Sequence, residues 1–384
     1  MPGIPVMRRI LSRLLPPKPV EELGNERPVF EPDAIPVYLL TGFLGSGKTT
    51  FLNALLNDSR MRDAAIIVNE FGTVSVDHDL IRSGSEQYIL TSTGCLCCTA
   101  TSDIRASLHE LYDDRQQGKI PAFRKVIIET TGLADPAPII NSLIAGGAPA
   151  LAMRDHIVAR KFRLAGVITT FDVDAGEATL AGHFECWKQI AFADHIILTK
   201  TDISAPDSWC QRLSELNPTA LVHASNEKGF DPFSMFSNGC YSVNDKPEDV
   251  PGWLAMENLA DSHSHNHAHD PNRHGNGIEA MALFHDEPLD ARAINAFLNV
   301  LTSQPHAGLL RMKGILALND DPSQPLIVHA VQHRLYPPVR LDYWPSIDVR
   351  SRLMIIGNNL PRQPILKLFD GLKPRYSKKR VVNA

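Results

Sequence analysis

Gly42-Phe43-Leu44-Gly45-Ser46-Gly47-Lys48-Thr49 fits the pattern G-x-x-x-x-G-K-[ST], and it stands between an apolar run at 37–40 and a segment of helical spacing at 49–56. Strand, glycine-rich loop and helix in that order are the setting in which the pattern binds phosphate. Glycines let the backbone wrap closely around an anion with its N–H groups inward, and the following helix adds the positive end of its dipole. Gly42, Gly45, Ser46, Gly47, Lys48, Thr49 and Thr50 are therefore the candidate nucleotide-binding residues. Lys48 is placed to bridge the β- and γ-phosphates, and Thr49 to offer a hydroxyl to Mg²⁺, a hard ion that prefers oxygen.

Outward from this loop, apolar runs at 64–68, 126–128, 164–170 and 195–198 alternate with helical segments at 102–112, 138–144 and 208–216. Runs that are continuously apolar are buried on both faces, which is the text of a mostly parallel sheet with crossover helices. The pattern lapses after about residue 226. Residues 227–276 collect Asn, Gly, Pro, Ser, Asp and histidine and read as a linker. Strand candidates at 278–284, 315–318, 326–330 and 353–356 beside a helix at 290–301 then predict a smaller α+β domain over 277–358. Residues 1–34 and the basic 359–384 read as tails around an α/β domain spanning 35–226.

The chain has 384 residues, of which 43% are apolar and 21% charged, which excludes wholesale disorder. A net charge of -5 supplies no field for a polyanion, so nucleic acid is not an expected partner. Apolar stretches fall short of the ~18 residues a bilayer crossing needs, so no membrane contact is expected either. The six cysteines are too few for a secreted disulfide framework, and three of them crowd into 95–98. Arg8, Arg9 and Arg13 flank a short, interrupted apolar run with no small-residue cleavage site after it. That segment reads as a solvated tail, with an organelle transit peptide as the alternative, and the expected compartment is the cytoplasm.

Three further motifs carry chemistry. The run 125–128 ends in Glu129-Thr130-Thr131-Gly132, which puts a carboxylate at a strand tip, where ligands of open α/β sheets gather. Glu129 is then expected to act on Mg²⁺ through water, the Gly132 N–H to meet the γ-phosphate, and Asp135 to belong to a mobile switch. Thr199-Lys200-Thr201-Asp202 resembles the guanine-reading N-K-x-D, with Thr in the place of Asn. A carboxylate at Asp202 accepts from both N1–H and the exocyclic amine of guanine, a pair that adenine does not offer, while Lys200 packs its stem along the base. Cys95, Cys97 and Cys98 open a helical segment, where thiols ionise more easily, and such a cluster suits Zn²⁺, Co²⁺ or Cu⁺. Buried structural cysteines and a redox pair are the other readings. His263, His265, His267 and His269 alternate within the polar linker, a pattern for weak, fast-exchanging metal binding or for plain linker composition.

Residues 42–50, Asn69-Glu70-Phe71-Gly72, Cys95-Leu96-Cys97-Cys98, Glu129-Thr130-Thr131-Gly132-Leu133-Ala134-Asp135-Pro136 and Thr199 to Asp202, in this order, resemble the CobW-type metallochaperone GTPases over about 36–357. The resemblance implies a P-loop GTPase domain followed by the family's C-terminal domain. It also implies GTP hydrolysis with Mg²⁺, tied to delivery of zinc, or in some members cobalt, to a client metalloprotein. By the same matching Cys95, Cys97 and Cys98 are metal ligands, with Glu70 in the adjoining switch segment. Two departures stand out: Thr73 replaces a commonly acidic residue after Gly72, and Thr199 replaces Asn. A nucleotide-regulated zinc storage or sensing protein and a P-loop kinase with structural zinc are the rivals. Asp202 speaks against the kinase. A homodimer is compatible with the sequence.

Overall fold

The computed structural model describes residues 34–68, 89–92, 100–144, 152–236, 278–303 and 308–372. The first sheet has seven strands: β1 (Ile35–Gly42), β2 (Ala64–Val68), β3 (Ile89–Ser92), β4 (Lys125–Glu129), β5 (Phe162–Asp172), β6 (His195–Thr199) and β7 (Leu221–Ala224). Their spatial order is β3-β2-β4-β1-β5-β6-β7, and every pair is parallel. Helices α1 (Lys48–Leu56), α2 (Ala100–Gln116), α3 (Pro136–Leu143), α4 (Met153–Lys161), α5 (Gly176–Gly182), α6 (Phe184–Phe192) and α7 (Asp207–Leu216) belong to the same domain. Both faces of the sheet are covered. Along β1, Val37 and Leu39 enter one core with Ile104 and Leu108 of α2, while Tyr38 and Leu40 enter another with Leu52 and Leu55 of α1. Period-2 alternation between two apolar layers is why these strands read as unbroken hydrophobic runs.

The second domain is an antiparallel sheet ordered β11-β10-β9-β13-β8, with β12 also paired to β10. The strands are β8 (Ile278–His285), β9 (Leu309–Leu316), β10 (Leu326–Val331), β11 (Arg334–Leu335), β12 (Val339–Arg340) and β13 (Ser351–Asn358), accompanied by α8 (Ala291–Ser303) and α9 (Arg362–Asp370). Leu353 and Ile355 of β13 pack with Phe297 of α8 and Phe369 of α9, while Met354 and Ile356 join the core of the first domain. The two domains therefore share one apolar seam.

Into this seam the structure places Asp194, whose Oδ1 accepts from Arg311 and from Lys313 Nζ (2.9 Å), and whose Oδ2 accepts from the Val167 N–H (2.9 Å). All three charged side chains are about 2% exposed or less. Burial alone would raise the Asp194 carboxyl, but the two cations overturn that and hold it well below the usual carboxylate range. Tyr336 adds a hydroxyl bond to Asn141 of α3 at 3.1 Å.

Three boundaries differ from the sequence reading. Residues 227–236 do not begin the linker: Phe233 and Met235 in a 3-10 turn (Pro232–Phe236) fill the core beside α1, and Tyr38 Oη donates to Phe236 O at 2.7 Å. The expected tail from residue 359 contains α9, whose Ile365 and Phe369 are buried in the second core. The strand expected at 315–318 runs from Leu309 to Leu316, because Arg311 and Lys313 are buried through Asp194 and do not end it. Residues 1–33, most of the predicted linker (237–277) and 373–384 lie outside the described residues. Among the described residues no helix is long and apolar enough to cross a membrane.

Candidate nucleotide site

The loop between β1 and α1 is shaped by its glycines. Gly42 has φ 142°, and a Cβ there would lie 2.7 Å from Ser46 Oγ and closer still to Thr170, so no larger residue fits. Gly45 (φ 71°) and Gly47 (φ 86°) take the left-handed conformation that turns successive N–H groups toward one concavity. Lys48 is 9% exposed, and its ammonium donates to Gly42 O and Phe43 O at 3.0 Å each, which keeps the cation against the loop.

Neighbouring strand tips complete the site, because parallel pairing brings their C-terminal ends to one edge. Leu40 of β1 is level with Glu129 of β4, and Gly42 with Thr170 of β5. Thr49 Oγ1 donates to Glu129 Oε1 at 2.8 Å, so the two residues expected to serve Mg²⁺ meet across 80 positions of sequence. A hydroxyl on the first turn of α1 and a 4%-exposed carboxylate at the tip of β4 are a hard-oxygen set that fits Mg²⁺. Beyond Glu129 the chain lies flush on the phosphate loop: a Cβ on Gly132 would stand 2.7 Å from Leu44 Cα. Asp135, expected to belong to a switch, stands at the start of α3. Its carboxylate caps α3 by accepting from the Ala137 N–H (3.0 Å), and it pairs with Lys188 Nζ (2.8 Å).

On the other side, Thr199 Oγ1 lies 2.9 Å from Ser46 O and 3.2 Å from Phe171 O, bonding the segment expected to read the base to the glycine-rich loop. Threonine at this position thus keeps a tie between the two loops. Lys200 (φ 56°) pairs through Nζ with Asp172 at the tip of β5. Asp202 is exposed, and Ser225 N donates to Leu198 O at 2.9 Å, bringing the β7 end beside the loop that follows β6. Sequence reasoning missed Asp172, Thr170 and Gln189. Asp172 had a signal, since it ends an apolar strand as Glu129 does.

Residues 36–223 match the model of the CobW/HypB/UreG nucleotide-binding domain, and residues 278–373 match that of the cobalamin synthesis protein cobW C-terminal domain. The chain belongs to the CobW family of GTPases. It is 30% identical over 340 residues to the zinc chaperone YjiA of Escherichia coli, covering 88% of this chain and 99% of that one. The zinc-regulated GTPase metalloprotein activator 1 of Schizosaccharomyces pombe is 32% identical over 186 residues, covering 46% of this chain and 41% of its own. The crystal structure of the Zn(II)-bound YjiA GTPase superposes with a TM-score of 0.65 at 27% identity, covering 89% of this chain and 99% of that one.

Within this CobW-family chain the expected metal residues Glu70, Cys95, Cys97, Cys98, His263, His265, His267 and His269 lie outside the described residues. The strands that lead to them are described. Val68, which closes β2, pairs with Glu129 on one side and with Ser92, the end of β3, on the other. Glu70 and the cysteines thus follow strand ends level with Glu129. Among the described residues no group of three His, Cys, Asp or Glu is placed to hold a metal ion. Cys186, one of the described cysteines, is buried, and its thiol is pushed up to about 12 by that burial, which suits packing and not metal binding.

Proposed function

We propose that this GTPase is a metallochaperone: it binds a transition metal, zinc first and cobalt as the alternative, and passes it to a client metalloprotein under control of the bound nucleotide. The observation that carries the reading is the pairing of Val68 with both Glu129 and Ser92, because it makes the chain enter both candidate metal segments from strand tips on the same sheet edge as Glu129. Likeness to a zinc chaperone over 340 residues supports zinc as the cargo.

In this reading Lys48 and the N–H groups of residues 45–49 hold the phosphates, and the Gly132 N–H meets the γ-phosphate. Thr49 through its hydroxyl and Glu129 through water would hold Mg²⁺, which would supply neutralisation of phosphate charge there. Asp202 selects guanine, with Thr199 keeping its loop registered on the phosphates. Water attacks the γ-phosphorus, the bond to the β-bridging oxygen breaks, and GDP and phosphate leave. Cys95, Cys97, Cys98 and Glu70 ligate the cargo, and the histidines at 263–269 collect it more weakly. An ordered switch draws Glu70 toward the thiolates in the GTP state, and hydrolysis loosens the grip.

The test is a pair of chelator-competition titrations with Zn²⁺ and with Co²⁺, one with a non-hydrolysable GTP analogue and one with GDP at fixed Mg²⁺. Tighter metal binding in the GTP state by about 5- to 150-fold is expected, with metal favouring GTP by the same factor. Equal affinities in the two states, or tight binding retained in a Cys97→Ser/Cys98→Ser variant, would overturn the reading. Turnover stimulated by a client separates delivery from regulated storage.

A further inference from the structure

Gln189 is wholly buried on α6, 0% exposed, yet half of its amide is committed to a single task. Its Nε2 donates to Gly132 O and to Ala134 O, both at 3.1 Å, and because both neighbours are acceptors the orientation of the amide is determined. Its Oε1 is buried with no hydrogen-bond partner among the described residues. The stranded Oε1 costs free energy, so the amide is kept for its other half, the two bonds to loop carbonyls that an apolar side chain would leave without this donor. Next to it, Lys188 Nζ pairs with Asp135 at 2.8 Å, so consecutive residues of α6 hold the loop at residues 132, 134 and 135.

The helix that carries them is itself held. Thr169 Oγ1 donates to Gln189 O at 2.9 Å, Asn217 Nδ2 donates to Ile190 O at 2.8 Å and Ala193 O at 2.9 Å, and Arg311 donates to Phe192 O and Ala193 O. Gln189 therefore reaches the loop from a support fastened to β5, to the residue after α7 and to the second domain.

We propose that Gln189 is a positioning residue for GTP hydrolysis, holding the Gly132 loop at the distance from the phosphate loop that the γ-phosphate requires. This rests on the reading of Gly132 as the γ-phosphate contact. Its two bonds restrain carbonyls 132 and 134, and with them the Gly132 backbone that packs against Leu44. GDP lacks the group this loop meets, so Gln189 acts on turnover and leaves GDP binding alone.

The experiment uses the full chain with Mg²⁺, comparing the parent with Gln189→Met and Gln189→Glu. In Gln189→Met, kcat falls by about 100-fold, the size of effect a displacement of about 1 Å produces, while GDP affinity stays within about twofold. In Gln189→Glu a neutral carboxyl donates one bond to the loop and an ionised one donates none, so kcat recovers as pH is lowered, relative to the parent at the same pH. Unchanged kcat in Gln189→Met overturns the proposal, as does a parallel loss of GDP affinity and turnover with no pH recovery in Gln189→Glu. Gly132→Ala separates the two levels: if it turns over normally, the reading of the loop fails and the proposal with it. If Gly132→Ala is inactive and Gln189→Met is normal, only the role of Gln189 falls.

Discussion

Replacing Asp194 by Asn takes one negative charge from a seam in which Arg311 and Lys313 are each 2% exposed. The variant keeps the shape of the side chain, but its amide nitrogen has no lone pair for the Val167 N–H, and its oxygen carries no charge for the two cations. Breaking a buried ion pair from one side costs about 3 to 5 kcal/mol, because the surviving charge stays desolvated. Arg311 retains the Phe192 and Ala193 carbonyls at the negative end of α6, so the lower end applies, about 3 kcal/mol. With a urea m-value of about 3 kcal/mol per molar, the unfolding midpoint falls by about 1 M. Circular dichroism through a urea titration reads this directly. A loss under about 1 kcal/mol at unchanged m, the worth of an exposed pair, would refute the reasoning. Exchanging all three residues for apolar ones of similar volume should recover most of the loss, since no charge is then stranded.

The same seam makes stability depend on pH: burial holds His195 down to about 4 and His329 down to about 3, against 6.5 when unfolded. Only the unfolded chain takes up these protons between pH 6.5 and the folded values, so stability falls on acidification; His195 alone accounts for about 2 kcal/mol between pH 6.5 and 5, read by thermal unfolding across that range. Asp202→Asn should weaken GTP and improve xanthosine triphosphate, whose C2 carbonyl needs a donor, in calorimetric titrations; an unchanged preference removes Asp202 from base reading. Thr199→Val removes the bonds to Ser46 O and Phe171 O and should weaken GDP and GTP alike by about tenfold, with Thr199→Asn restoring affinity.

The glycine loop was legible because its chemistry is local: eight consecutive residues specify where the backbone turns left-handed and where the ammonium hangs. The parallel sheet was legible because both of its faces are dry, which leaves continuous apolar runs. Elements whose stability rests on a distant partner were misread. The first half of β9 looks polar until Asp194, 117 positions away, is placed beside Arg311. Helix α9 hid among prolines and basic residues because just two of its residues, Ile365 and Phe369, are buried in the second core. The 3-10 turn that carries Phe233 has no periodicity to show, and its apolar residues acquire meaning only against Tyr38 and α1.

By itself the sequence determined the phosphate loop, the α/β class, the order of motifs and the division into two units, since each follows from spacing within a short window. Tertiary structure alone decided which motifs touch. It set Thr49 against Glu129, Thr199 against Ser46 and Gln189 against Gly132, contacts that span 80, 153 and 57 positions. It also committed the Asp135 carboxylate to capping α3 and pairing with Lys188. The physical reason is that strand order sets these contacts. β1 lies between β4 and β5, so tips far apart in the chain share one edge, and a hydrogen bond of about 3 Å depends on that placement and not on the residues beside it in sequence.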